Sequence, residues 1–268
     1  MDFRENLISL KLGGAKFVAS VSFGKDSLAM LLKLIQEDYP LDYVVFYDTG
    51  MEFECIYALR DKVKPMLKQH NIEFIELKPK DPFLYTMLER PTYSKQKGQH
   101  NGYGWCGGLC RWGTTEKLNA IRQFKKSLDG DVIDYVGIAA DEPKRFDKAK
   151  SDGKILPLVE LGMTEKDCLD FCYELGYNWN VDGINLYSVL DRVSCWCCSN
   201  KNLKELKNIY QFLPTYWNKL KELQDRCKRP MKGYYKGQPK GVYELEERFR
   251  KELEDNESIS KSSSNTLP

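Results

Sequence analysis

Ser22-Phe23-Gly24-Lys25-Asp26-Ser27 joins a short apolar stretch to a helical pattern, and its residue types suit phosphate. Gly24 lets the backbone approach a ligand closely. Ser22, Ser27 and the N–H groups of the loop can bind phosphate oxygens, and a following helix adds partial positive charge at its start. Lys25 supplies a full charge, and Asp26 can orient a magnesium ion or its waters. The run is not a Walker loop, because the spacing G-x-x-x-x-G-K-S/T is absent, and it is not G-x-G-x-x-G either.

Cysteine is the second source of chemistry. The chain has nine, an odd number, and they cluster. In a reducing compartment clustered cysteines mean metal or redox chemistry more often than disulfides. Cys106-x-x-x-Cys110 and Cys195-x-x-Cys198 stand far apart in sequence. Two pairs from separate loops make a four-thiolate site, for a 4Fe-4S cluster or a structural zinc. Cys197 lies between two of those ligands, as a substitute ligand or a free nucleophile. Cys168 and Cys172 are spaced i, i+4 on an apolar face and read as core. Cys55 and Cys227 have no partner in view and read as inert. His70 and His100 are the only histidines, which excludes a His-rich metal site.

These residues need a frame, and the apolar pattern supplies one. Lys16 to Val21, Tyr43 to Tyr47, Glu73 to Leu77 and Val132 to Ile138 read as buried strands. Leu28, Leu31, Leu32 and Ile35 recur at helical spacing, and a charged helical pattern runs from about Glu52 to His70. Strands alternating with such helices predict an α/β fold, a Rossmann-like parallel sheet with helices on both faces. Ligands then bind beyond the carboxyl ends of the strands, where the motifs fall. Thr164 opens a further helix with Asp167 as its capping partner, and Leu169, Cys172 and Leu175 share one face of it.

The organisation expected from this is a nucleotide-binding domain over 1–200 with a cysteine-containing insertion at 79–111, which has no clear periodicity. A helical, basic C-terminal extension follows over 201–257, then a disordered tail over 258–268. Lys+Arg 41 against Asp+Glu 39 gives no global push towards polyanions, so nucleic-acid binding needs a local patch. Arg226 to Lys240 is such a segment. It holds six cations, no acid, and Tyr234 and Tyr235, able to contact phosphates and stack a base. A solvated basic linker is the plainer reading. No stretch has the roughly 20 apolar residues needed to cross a bilayer, and the N-terminus does not read as a signal peptide. The expected partners exclude a membrane, and the expected location is cytoplasmic.

The phosphate run resembles the PP-loop S-G-G-x-D-S of the ATP pyrophosphatases and of the phosphoadenosine phosphosulfate (PAPS) reductase family, with Phe23 in place of the first Gly. The resemblance covers nearly all of residues 15 to 200. Asp48-Thr49-Gly50-Met51-Glu52-Phe53 is similar to the family's D-T-G-x-x-F-P segment, which implies that Asp48 meets the nucleotide. Gly137-Ile138-Ala139-Ala140-Asp141-Glu142 with Lys144 and Arg145 is similar to G-x-R-x-x-E and a following Arg. This implies that Lys144 and Arg145 face phosphate or sulfate. Pro157-Leu158 with Thr164-Glu165-Lys166-Asp167 resembles P-L-x-x-W-T-E-x-D and reads as structural. The family's iron-sulfur reductases carry paired cysteines ahead of Arg-Lys and a later C-x-x-C. That order implies metal ligation by Cys106, Cys110, Cys195 and Cys198, with Arg111 near the nucleotide. The implied fold is that of the adenine nucleotide alpha hydrolases.

The resemblance leaves the reaction open. Sulfonucleotide reductases use a late cysteine in E-C-G-I/L-H, and Cys227, the last cysteine, lies in Asp-Arg-Cys-Lys-Arg-Pro-Met. The preferred expectation is cleavage of ATP at its α phosphate, with magnesium, to activate an acceptor for sulfur transfer. Its catalytic residues are Lys25, Asp26, Lys144 and Arg145. The first alternative is a true reductase of PAPS or adenylyl sulfate that releases sulfite. The second is a nucleotide-binding module without turnover.

Overall fold

A computed structural model of the chain describes residues 3–95 and 98–264. The elements begin α1 (Phe3–Leu12), β1 (Lys16–Ser20), α2 (Lys25–Gln36), β2 (Tyr43–Tyr47), α3 (Glu54–Gln69) and β3 (Glu73–Leu77). Then come α4 (Phe83–Leu88), β4 (Pro91–Ser94), β5 (Gly98–Asn101), α5 (Lys117–Lys126), β6 (Val132–Tyr135), α6 (Pro143–Ser151), α7 (Pro157–Glu160) and α8 (Glu165–Glu174). The chain closes with β7 (Asn180–Val181), β8 (Ile184–Asn185), α9 (Leu186–Val189), α10 (Leu203–Phe212), α11 (Pro214–Arg226), β9 (Tyr234–Tyr235), β10 (Gln238–Pro239) and α12 (Val242–Ser264).

The chain divides into two compact units. The first comprises Met1–Lys80, Trp112–Val181 and Arg192–Cys195, and the second Asp81–Arg111, Asp182–Asp191 and Trp196–Pro268. The insertion at 79–111 therefore groups almost wholly with the C-terminal region, not with the nucleotide-binding sheet.

The first unit is built on a parallel sheet of order β3-β2-β1-β6. Alternation along the strands sends Val18 and Val45 to the face covered by Ile121 and Phe124 of α5. Phe17 points to the opposite face and stacks on Tyr135 at 5.8 Å. On that face α2 packs against α7 and α8. The chain moves outward from β1 to β2 to β3, then returns to the other side of β1 as β6. The carboxyl end of β1 is thus the point where strand order reverses, and ligands settle at such points.

Helix α8 starts with a full capping box between Thr164 and Asp167, as the sequence predicts. Its buried face differs from the predicted one. Cys168 and Cys172 are fully buried, whereas Leu169 is half-buried and Leu175 is 48% exposed, because α8 ends at Glu174 and Leu175 follows as its C-cap.

In the second unit, α4 and the antiparallel pair β4–β5 occupy the stretch that shows no periodicity in sequence. Gly102 ends that hairpin at φ +66°, and a Cβ there would stand 2.2 Å from the Met87 carbonyl oxygen, so only glycine fits. Helices α10, α11 and α12 pack around Trp217, whose ring lies 5.4 Å from Tyr210 and 5.9 Å from Phe249. The polar tail is not without structure: α12 continues through Ser264, and residues 265–268 lie outside the described residues. Packing of Leu245 and Phe249 starts that helix, and Glu247–Lys251, Arg248–Glu252 and Arg250–Glu254 pairs extend it, since adding a turn is easier than starting one.

Candidate functional site

The loop after β1 is anchored from inside. Phe23 takes φ +58°, a conformation that favours glycine, yet its ring is fully buried. It packs edge-on against Phe46 at 5.3 Å, and its carbonyl accepts a hydrogen bond from Trp179 Nε1 at 2.7 Å. The Phe23 side chain thus belongs to the core, which leaves only its backbone to face a nucleotide. Ser22 and Ser27 close the loop, their hydroxyls 3.1 Å apart, and Ser27 Oγ also donates to the Gly24 carbonyl. Gly24 caps α2 without a side-chain hydrogen bond. The motif after β6 presses on this loop. A Cβ on Gly137 would come within 2.9 Å of Ser27 Cα and 3.0 Å of the Asp26 carbonyl oxygen.

Lys25 and Asp26 lie inside a cluster of carboxylates. Lys25 Nζ donates to Glu165 Oε2 at 2.7 Å and stands 3.2 Å from Asp26 Oδ1. Burial works against the Lys25 charge, but the hydrogen bond to Glu165 and the field of Asp26 outweigh it, so the pKa is raised. Burial also raises the pKa of Asp26, against the pull of Lys25. Oxygens of Asp26, Glu142 and Glu165 lie within 4.8 Å of one another. Asp26 Oδ1 is buried and accepts no hydrogen bond among the described residues. Glu142 and Glu165 stand inside the Gly137 and Thr164 motifs, and neither is marked out by the sequence as a partner of Asp26. Glu165 is no mere structural residue of Thr-Glu-Lys-Asp: the capping box turns it to Lys25 instead.

The other expected residues are spread more widely. Arg145 Nη1 donates to both Glu142 oxygens at 2.6 Å, so it steadies a cluster carboxylate. Lys144 is exposed and lines a recess of about 260 Å³ with Lys148 and Lys154. Asp48 is buried after β2, where its Oδ1 accepts from Gly50 N at 2.7 Å and Tyr57 Oη at 2.8 Å. Beside it, Thr49 Oγ1 donates to Glu52 Oε1 at 2.8 Å, and Cys195 Sγ lies 3.5 Å from the same oxygen.

Burial raises the pKa of Glu52, only partly offset by the Thr49 hydrogen bond. A carboxyl whose pKa rises on folding favours the folded state fully below its unfolded pKa, and that contribution is lost as pH climbs through the folded value. Glu52→Gln should therefore flatten the fall in stability over the range just above ordinary glutamate pKa. Urea midpoints across that range check this, and parallel curves for both proteins would refute it.

The remaining cysteines separate by environment. Burial drives the Cys172 thiol to about 12 and the Cys168 thiol higher still, which fits their core role. Cys55 is likewise buried and pushed to about 12. In the second unit the loop of Cys106 and Cys110 is tied to the turn after Cys198. Ser199 Oγ donates to the Cys106 carbonyl, Gly108 N donates to Asn200 Oδ1 at 2.9 Å, and Asn200 Nδ2 returns a bond to the Gly108 carbonyl at 2.7 Å. Lys232 Nζ braces that turn through the Ser199 and Lys201 carbonyls. Arg111, also in the second unit, lies over the Tyr103 ring at 4.5 Å. No helix among the described residues is long and apolar enough to cross a membrane.

An uncharacterized protein of Methanocaldococcus jannaschii, MJ0066, is 26% identical over 223 residues, which cover 75% of this chain and 40% of that protein. The chain thus spans well under half of that relative. Among solved structures, the U34-tRNA thiolase NcsA from Methanococcus maripaludis with its 4Fe-4S cluster aligns over 89% of this chain and 72% of its own, at 14% identity and TM-score 0.38. The profile of the phosphoadenosine phosphosulfate reductase domain matches residues 16–150, which contain the phosphate loop, the Asp48 turn and the Gly137 segment. That match spans half of the chain, which thus belongs to the phosphoadenosine phosphosulfate reductase family.

Proposed function

We propose that the protein uses ATP and magnesium to adenylate an acceptor, which then receives sulfur. The observation that carries this reading is the gathering of Asp26, Glu142 and Glu165 around Lys25 at the start of α2. The family implies a nucleotide there, and the carboxylates fit a magnesium ion that accompanies it. Asp26 Oδ1 is buried without a hydrogen bond, and oxygen donors suit a hard cation. Magnesium bound there would neutralise charge on the departing pyrophosphate. Ser22, Ser27 and the N–H groups at the start of α2 hold phosphate oxygens. Lys25 leaves Glu165 to pair with the phosphate, and Asp48 at the end of β2 orients the ribose. An acceptor oxygen attacks the α phosphorus, its bond to the bridging oxygen breaks, and pyrophosphate leaves. A sulfur nucleophile then displaces AMP from the acceptor.

The test is anaerobic protein offered ATP and PAPS in parallel. Release of AMP and pyrophosphate from ATP supports the reading. Sulfite from PAPS with a dithiol donor would replace it with the reductase, and binding without turnover of either would replace it with a sensor. Cys227, the reductase's remaining candidate nucleophile, is buried.

We also propose, from their order and spacing in the sequence, that Cys106, Cys110 and Cys198 ligate a 4Fe-4S cluster or zinc. Among the described residues no three thiols gather within 4.8 Å of one another, so ligation needs these loops to close around the metal. The C-x-x-C spacing that pairs Cys195 with Cys198 is a feature of the sequence alone. Cys198→Ser should remove the metal from anaerobically purified protein, and Cys168→Ser should retain it. Iron, sulfide and zinc analysis decides the matter, and folded, active, metal-free wild-type protein would refute it.

A further inference from the structure

The second unit contains a cavity of about 600 Å³ that the nucleotide chemistry leaves unused. Its lining brings the end of the β4–β5 hairpin, at His100 and Gly102 to Gly104, to Arg226, Lys228 and Arg229 after α11. On the hairpin side Gly102 and Gly104 carry no side chain, and their N–H groups donate to the Arg90 and Met87 carbonyls. A Cβ on Gly104 would stand 3.4 Å from Cys227 Sγ, so glycine there keeps the wall open beside the thiol. Arg226 pairs with Glu89 at 3.3 Å, an exposed and therefore weak bridge. Lys228 and Arg229 are exposed, and neither side chain pairs with a carboxylate among the described residues. A concave site edged by the exposed, unneutralised cations of Lys228 and Arg229 is suited to phosphate.

The chain supplies a second component a few residues on. Tyr234 is 65% exposed on β9, opposite Pro239, with no ring or hydrogen-bond partner for its side chain among the described residues. Tyr235 beside it already carries Lys240 Nζ 4.3 Å over its ring. Tyr234 lies five positions beyond Arg229, a reach of at most about 18 Å. An uncovered aromatic ring close to a cationic cavity is the pairing that single-stranded nucleic acid requires, phosphate in one and a base on the other.

We infer that the second unit binds single-stranded nucleic acid, its backbone phosphates in the cavity of Arg226, Lys228 and Arg229 and a base stacked on Tyr234. As an assignment of the sulfur acceptor this rests on the proposed function. The binding itself does not, and it is testable without nucleotide.

The experiment is fluorescence anisotropy of the anaerobically purified protein with labelled single-stranded RNA, single-stranded DNA and duplex of matched sequence, over a salt series. Single strands of either sugar should bind more tightly than duplex. In Lys228→Ala/Arg229→Ala the slope of log affinity against log salt should shrink by about 1.4, since each phosphate contact on a single strand contributes about 0.7. Tyr234→Ala should weaken binding at least about fivefold and leave the slope unchanged. All three side chains are exposed, so the variants should fold, and circular dichroism verifies that. Lys25→Ala should bind the strand as wild type does, so a failure of the ATP reading would not be mistaken for a failure here. A salt slope unchanged in the double variant, or duplex bound as well as single strands, overturns the inference.

Discussion

Asp26→Asn should reduce magnesium-dependent release of pyrophosphate by about 10²- to 10³-fold while the protein stays folded. The substitution preserves size and removes the charge from one member of a three-carboxylate cluster. A metal that stabilises charge on a transferring phosphate contributes several kcal/mol, and about 1.4 kcal/mol corresponds to tenfold in rate. Burial already raises the pKa of Asp26, so the neutral amide should be tolerated in the resting protein. The loss should appear in kcat, and a magnesium titration should shift to higher concentration. Activity within a few-fold of wild type would mean that the cluster of Asp26, Glu142 and Glu165 does not hold the ion. Arg145→Ala is the useful companion. It frees Glu142 without altering the cluster's charge, so its effect should be much smaller.

The second large effect concerns stability. Phe23→Ala should lower the unfolding free energy by about 3–5 kcal/mol, the usual range for deleting a buried phenyl ring. Phe23 is fully buried against Phe46 and Phe74, and alanine gives no relief from the positive φ. Phe23→Gly would lose the same ring and gain back part of the backbone strain, at the cost of a looser loop. Denaturant midpoints for the two variants separate those contributions. If Phe23→Ala unfolds at the wild-type midpoint, the ring is not the anchor described.

Much of the first unit was legible in the sequence because its signals are local. An apolar run of strand length, a loop of small polar residues and a helical repeat fix β1, the phosphate loop and α2 whatever surrounds them. The same is true of the Thr164 capping box. The loop's inner half was not legible. Phe23 occupies a position where glycine is the rule, and only the packing of Phe46, Phe74 and Trp179 reveals it as a core residue. The carboxylate cluster was hidden for a different reason. Asp26, Glu142 and Glu165 come from three segments far apart in sequence, and charged side chains after strands look alike until the fold brings three of them together. The β4–β5 hairpin escaped because both strands are short and polar, and Gly98 and Gly102 at positive φ set its shape more than any apolar repeat.

The division of the chain into two units bears on how such a protein is inherited. The second unit is assembled from Asp81–Arg111, Asp182–Asp191 and Trp196–Pro268, which leave and re-enter the path of the first. No single cut releases it, and no single fusion could have added it. Only Asp81–Arg111 interrupts the parallel sheet, between β3 and β6, and the other two segments follow β6. The sheet tolerates that long connection because closing a loop burdens stability only slowly with length. The family match over residues 16–150 therefore takes in the phosphate loop but only one of the three segments of the second unit.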